Sequence, residues 1–329
     1  MKKNVIIKLF LTLILSGFIF SPLYFYAQES GRPEGLTVSP PLTELEVKPG
    51  ERITKKIKVT NPVNEQVKVY PTALDFFAKG ETGEPGFSKP SEDNKSYSLA
   101  SWITFSKSFL VLESQEVEEF EYTITVPPEG EPGGHYGVVF FASEAPKAEE
   151  DVSQVNISTM VGSLVLAKVP GYTVDNAKIE TFSAPWFSFN APINFNTRLS
   201  NLGNVHFKPK GDITIKNIFG KEKEAIKFND QNGNVLPESI RRFENSWQPK
   251  TSLFSPLGKY TAELKLTYGD SKKEITAVLD FWIIPLWFII ACVVVLLVIL
   301  FFLIRKAFGK GNNKRKKTKH HPNVVDLRK

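Results

Sequence analysis

Phe281 to Ile304 is a run of 24 residues without one charged side chain, and a basic cluster opening with Arg305 and Lys306 follows it directly. As a helix rising about 1.5 Å per residue it reaches about 36 Å, enough to cross a hydrocarbon core of about 30 Å with some tilt. Trp282 and Trp287 stand where an outer interfacial aromatic belt belongs. The basic residues lie at the other end, so the positive-inside rule puts the C-terminus in the cytoplasm. The chain is expected to be a single-pass protein of the cell membrane, with its N-terminal bulk extracellular.

The start of the chain agrees. Lys2, Lys3 and Lys8 precede the largely apolar Leu9 to Phe20, the charged and apolar regions of a signal peptide. Phe25 makes a poor cleavage site after Ala27, where a small residue is preferred. Residues 1–28 are therefore read as a signal peptide or an N-terminal anchor, and both leave the same topology.

The formal net charge of +6 hides an asymmetry. Between Gln28 and Asp280 there are 28 basic and 34 acidic residues, whereas 305–329 holds 10 basic residues and one acid. The excess thus lies in a short membrane-proximal tail suited to anionic head groups, and no basic face for nucleic acid is expected. Cys292 is the one cysteine and falls inside the apolar run, so the exported part can form neither a disulfide nor a thiolate metal site. Stability has to come from cores, and a secreted architecture without disulfides favours a bacterial origin.

Period-2 alternation dominates the exported part. Phe120, Tyr122, Ile124 and Val126 alternate with Glu119, Glu121, Thr123 and Thr125, and Tyr260 to Tyr268 repeats the pattern. Turn residues separate the runs at Pro49-Gly50, Asn61-Pro62, Pro132-Gly133-Gly134 and Asn232-Gly233. The predicted class is all-β, with two tandem immunoglobulin-like β-sandwich domains plus a C-terminal transmembrane helix. Pro170-Gly171 marks the boundary: domain 1 over 36–170, domain 2 over 172–280, the span over 281–304 and a basic cytoplasmic tail over 305–329. Ala78 to Ser98, rich in Gly, Pro, Ser and charge, reads as a long surface loop, and Glu144 to Ser153 as a second polar connection.

The order of several elements resembles the WxL-interacting proteins of Gram-positive cell surfaces. It is carried by Leu36-Thr37-Val38-Ser39-Pro40, the Asn61 turn, Trp102-Ile103 and Pro132 to Gly137. Asn201-Leu202-Gly203-Asn204, Leu236 to Arg241, Gly258-Lys259-Tyr260 and the final span with its basic tail continue the series. The resemblance covers nearly the whole chain. It implies a peptidoglycan-binding first domain, a second domain that engages another surface protein or a host ligand, and anchorage by the last helix.

Motifs for chemistry are sparse. His135 and His206 are the exported histidines, neither lies in a metal-ligand spacing, and no G-x-S-x-G occurs, so no catalytic, metal or cofactor site is expected. Asp230 to Asn234 lacks the glycine and glutamate of a calcium loop, and Asn232-Gly233 is read as a type I′ hairpin turn. Candidate binding residues are His135 and Tyr136 in the turn PGGHYG, and Trp186, Phe187 and Phe189 in APWFSFNAP. The three aromatics could stack on sugar rings, but packing in a core or against domain 1 is favoured, because large aromatics are usually buried. Trp282, Trp287, Arg305 and Lys306 are read as membrane anchors.

The expected function is a non-enzymatic, membrane-anchored surface protein that binds cell-wall polymer or another envelope protein, with the 78–98 loop and the Pro132 to Tyr136 turn as contact points. A rival is a pilus-chaperone-like factor holding client strands at the edge formed by Arg52 to Thr60. A membrane-tethered enzyme is the third reading.

Overall fold

The computed structural model describes residues 35–90, 96–143, 160–249 and 256–309. The expected signal segment, the Glu144 to Ser153 connection and the tail beyond 309 lie outside these residues. Strands dominate, and one long apolar helix follows them.

In the first half, β1 (Thr37–Ser39), β3 (Arg52–Thr60), β8 (Val117–Thr125) and β6 (Ile103–Phe105) form one antiparallel sheet, β1 and β6 outermost. A second sheet runs in the order β2 (Leu42–Glu46), β10 (Met160–Val169), β9 (Gly133–Ala142), β4 (Val67–Lys79) and β5 (Glu84–Ser88). The short β7 (Leu110–Leu112) also pairs with β4, and β2 pairs with β10 in parallel. Between the two sheets lies a core of Ile57, Phe120, Tyr122, Ile124, Phe141 and Val165. Trp102, in the four-residue helical turn α1 (Leu99–Trp102), closes it. β8 shows why alternation predicted strand: Phe120, Tyr122 and Ile124 go inward. Glu119 and Glu121 stay in water, where both meet Lys56 across the strand pair at 3.3 and 3.4 Å. Glu119 and Glu121 thus belong to a solvated face.

The second half repeats the plan. β11 (Ala177–Ser183), β13 (Ile193–Asn201) and β16 (Ser239–Trp247) form one sheet. The other runs β12 (Phe187–Ser188), β18 (Lys273–Ile283), β17 (Gly258–Tyr268), β14 (Lys210–Asn217) and β15 (Glu222–Phe228). Phe195, Leu199, Ile213, Trp247, Leu264 and Phe281 are buried between them. At about 2–3 kcal/mol for each fully buried large apolar side chain, such a cluster supplies the stability that no disulfide provides.

Each half ends one strand on the same device. Asn61, after β3, donates its amide to the carbonyls of Glu65, Leu112 and Glu113 and accepts from the Val63 N–H. Asn201, at the end of β13, donates to Val205 and Val235 carbonyls and accepts from the Gly203 N–H. Both side chains are fully buried, so each closes a turn whose polar groups water cannot reach.

Three sequence expectations change. The apolar run does not begin as helix: Phe281 to Ile283 complete β18, with Phe281 and Ile283 buried in the core, and α2 (Leu286–Gly309) starts after Pro285. The reading of Ala78 to Ser98 as one loop fails for its first part, since β4 runs on to Lys79 and pairs with β5 as a hairpin. Asn232-Gly233 is not a type I′ turn, because only Asn232 has a positive φ there. Asn229 shapes that segment instead, its amide donating to the Pro209 and Gly233 carbonyls and its oxygen accepting from the Gly233 N–H.

Candidate functional site

The outward face of the β2-β10-β9-β4-β5 sheet carries an apolar patch of its own. Every residue of β9 is buried, Tyr136 and Val138 on the outer side and His135 and Val139 on the inner. Such a strand cannot face water. Phe76, Tyr136 and Leu166 form a separate buried cluster on the outer face, and Leu236 of the second half packs onto it with Leu42 and Leu164. The seam between the halves is thus a third, small core.

Polar contacts fasten it on all sides. The Gly134 N–H donates to the Asn204 carbonyl at 2.8 Å, and the Asn204 side chain accepts from the Val174 N–H and donates to the Tyr172 carbonyl. At the β4–β5 tip the Glu81 carboxylate takes both Nε and a terminal nitrogen of Arg198, while its carbonyl accepts from the Arg242 N–H at 2.7 Å. Arg241 is gripped between the backbones of Gly83 and Gly233, donates to the Asn234 carbonyl at 2.7 Å and lies 5.5 Å from the Phe243 ring centre. Burial lowers its pKa. Lys168 pairs with Asp270, and Glu44 receives Lys208 and Asn234 at 2.6 and 2.7 Å. Burial alone would raise the Glu44 carboxyl, but the bonds from Lys208 and Asn234 and the Lys208 charge outweigh it and hold the pKa down.

Two recesses open along this seam. One, of ≈ 210 Å³, is walled by Phe76, Phe77, Leu164 and Leu236 with Arg241 at its rim. The other, of ≈ 260 Å³, lies between Phe77, Tyr97, Tyr136 and Pro237. Phe77, Phe87 and Tyr97 stand exposed along the rim. On the opposite flank a polar cleft of ≈ 360 Å³ holds His206, Lys168, Lys208, Glu44 and Asp270. There burial lowers the His206 pKa to about 4, Glu44 opposing and Lys208 and Lys168 adding, while burial raises that of Tyr136. Neither group is poised for proton transfer near neutrality; together they form a hydrogen-bonded joint. Among the described residues no group of three His, Cys, Asp or Glu could hold a metal ion.

The expected binding residues part company here. His135 is fully buried, its ring nitrogens 2.8 Å from the Tyr97 and Glu131 carbonyls and its ring 4.5 Å from Trp102. Tyr136 belongs to the seam. Trp186, Phe187 and Phe189 lie at the far end of the second half, and the expectation that they pack in a core or against the first half fails for Trp186, which is 77% exposed, and for the exposed Phe189, while Phe187 is half-buried. Trp282 and Trp287 are exposed on either side of the β18–α2 junction, and Lys306 is exposed near the end of α2; the Arg305 side chain lies outside the described set. Sequence reading missed Glu81, Arg198, Arg241 and Leu236 as seam residues. Their one local signal is the pair of glycines, at 83 and 233, that makes room for a guanidinium.

No protein-family model and no curated protein sequence matches the chain. Among solved structures it is similar to the class 5 fimbriae chaperone CfaA, at 15% identity and TM-score 0.35, over 75% of this chain and 99% of the other. The E. coli chaperone DraB is similar at 15% identity and TM-score 0.33, over 75% and 96%. The Pseudomonas aeruginosa CupB2 chaperone is similar at 9% identity and TM-score 0.34, over 73% and 98%. At these scores the likeness carries no argument, and the reading of function rests on the residues.

Proposed function

We propose that this chain is a non-enzymatic, membrane-anchored binding protein of a cell envelope, whose two immunoglobulin-like sandwiches stand outside and hold a partner protein at their seam. The observation that carries this reading is α2. Its stretch from Leu286 to Ile304 is 19 residues long and none of it is buried against the rest of the chain. At about 1.5 Å per residue that is about 28 Å of helix with an apolar surface on every side, which a bilayer covers without cost. Polarity then directs the choice of partner. The recesses are lined by phenylalanine and leucine, which suits apolar side chains of a polypeptide better than a hydroxyl-rich wall polymer. A WxL-interacting protein, as the sequence order suggests, would be built this way.

A second reading has its own observation. β3 pairs with β8 along its whole length, but β1 covers only Lys58 to Thr60 on the other side. Among the described residues no strand pairs with the edge from Arg52 to Ile57, which leaves room for strand addition of the kind a pilus-chaperone-like factor uses.

One experiment addresses both. The full-length protein, reconstituted in nanodiscs with p-benzoylphenylalanine at Phe77, Thr54 or Val278, is irradiated in an envelope extract and the adducts are identified. A protein adduct at 77 and not at 278 supports the seam reading, and one at 54 supports strand addition. Silence at 77 and 54, or equal labelling at 278, removes both.

A further inference from the structure

The second half has two ends, and the strand registers say which loops lie at each. The seam occupies one: Asn204, Asp270 and the 229–238 segment are there. At the other, β18 runs into α2. Asn217 pairs with Tyr260, Tyr260 with Phe281 and Trp282 with Phe187, so the β14–β15 tip and the segment around β12 share the end from which the helix leaves.

That end is unusually apolar for a set of loops. Phe219 is 88% exposed, Trp186 77% and Ile218 64%, and Phe189 and Trp282 are exposed beside them. Turn tips in water ordinarily carry Gly, Asn, Asp or Ser. These are also held turns: the Asn217 side-chain oxygen accepts from the Phe219 and Lys221 N–H groups, and the Gly220 N–H bonds to the Asn217 carbonyl. The β12 segment is tied to the helix entry itself, Trp282 N–H to the Trp186 carbonyl at 2.9 Å and Ile284 N–H to the Ser188 carbonyl at 3.0 Å. With strands about 4.8 Å apart, the β14–β15 tip stands about 10 Å from β18 on the side away from β12. The apolar groups therefore flank the helix entry on both sides.

We propose that this end of the second half is a bilayer-interface surface, in which Trp186, Phe189, Ile218 and Phe219 enter the head-group region alongside Trp282 and Trp287. The proposal rests on α2 as a span, and continuity with it selects the occupant: a surface that begins two residues from the helix start is already at the depth where amphipathic rings prefer to lie. Contacts on both sides of the helix turn a flexible tether into a footing, so the seam is held at a fixed height and orientation above the lipid.

The test uses full-length protein carrying Cys292→Ser in phosphatidylcholine nanodiscs, with a nitroxide at Trp186→Cys, Phe219→Cys, Val295→Cys or Tyr172→Cys. Relaxation by oxygen and by a water-soluble nickel chelate reports depth. The oxygen-to-nickel ratio is expected to be several-fold higher at 186 and 219 than at 172, and highest at 295. If 186 and 219 match 172 while 295 reads as lipid, the footing is overturned and the span stands. If 295 also matches 172, the span reading fails and the footing with it. Low accessibility of 186 and 219 to both reagents indicates cover by protein, a second copy or a partner, and also overturns it.

Discussion

The Tyr136 hydroxyl meets His206 twice, accepting the backbone N–H at 3.0 Å and lying 3.2 Å from the ring Nδ1. The hydroxyl can accept that N–H through a lone pair and give its own proton to Nδ1, an arrangement that uses an imidazole unprotonated at that nitrogen. Burial lowers the His206 pKa from 6.5 to about 4, in keeping with this. A depressed folded-state pKa contributes stability that is complete above the unfolded value and is lost as pH falls through the folded one. Between about pH 6.5 and pH 4 the joint is expected to lose about 3 kcal/mol. Urea unfolding of the wild type and of His206→Gln across that range checks it: the difference between them should shrink steadily as pH falls, and parallel curves would refute the assignment.

Asn61 and Asn201 give a sharper test of the turns. Replacing Asn201 by Ala leaves the buried Val205 carbonyl and the Gly203 N–H without their side-chain partner and removes one of two bonds to the Val235 carbonyl. Buried polar groups stripped of partners cost about 1–3 kcal/mol each, so Asn201→Ala is expected to lose about 3 kcal/mol. Asn201→Asp should do no better, since a carboxylate cannot donate to a carbonyl. Chemical denaturation decides, and a loss below about 1 kcal/mol would show that water takes over the bonds.

The strands with one wet face were legible in the sequence, because water on one side and core on the other write the alternation of Phe120 with Glu121 and Leu264 with Lys265 directly into the chain. β9 was legible only at its start, where PGGHYG reads as a tight turn opening a strand; both its faces are covered and GGHYGVVFFA carries no period, so its full burial did not show. The β4–β5 hairpin was hidden for the opposite reason. Its tip is polar and glycine-rich, and only the cross-strand neighbours Phe76 and Phe87 betray the pairing. The seam lay beyond sequence reading altogether, since it joins Glu44 to Asn234 and Glu81 to Arg198, separations that no local pattern encodes. Trp186 was misjudged because large aromatics are usually interior, whereas this one stands exposed beside the short β12.

Thr197 offers a stabilising change. Its side chain is fully buried in β13 and its Oγ1 has no hydrogen-bond partner. Valine keeps the shape and the β-branched preference of a central strand while removing an uncompensated hydroxyl. Thr197→Val is expected to raise stability by about 1 kcal/mol, read as a higher denaturation midpoint at unchanged slope. A loss of similar size would mean that the hydroxyl is hydrogen-bonded in the folded state, for example to a buried water.

Gly83 and Arg241 set the docking of the two halves. Gly83 has φ +85°, and a Cβ there would lie 2.5 Å from the Arg241 Cζ. An alanine must therefore accept a left-handed backbone, costing about 1 kcal/mol, and also push the guanidinium off the Asn234 carbonyl, costing about 1–2 kcal/mol more. The two parts separate in a double-mutant cycle. Gly83→Ala is expected to cost about 3 kcal/mol in the wild type but only about 1 kcal/mol in Arg241→Ala, where the backbone strain alone remains. Gly233 faces the same guanidinium at 2.6 Å without a positive φ, so Gly233→Ala should show the collision without the strain and become neutral in the same background. Equal costs with and without Arg241 would place the effect in the hairpin itself and release the seam from any dependence on this arginine.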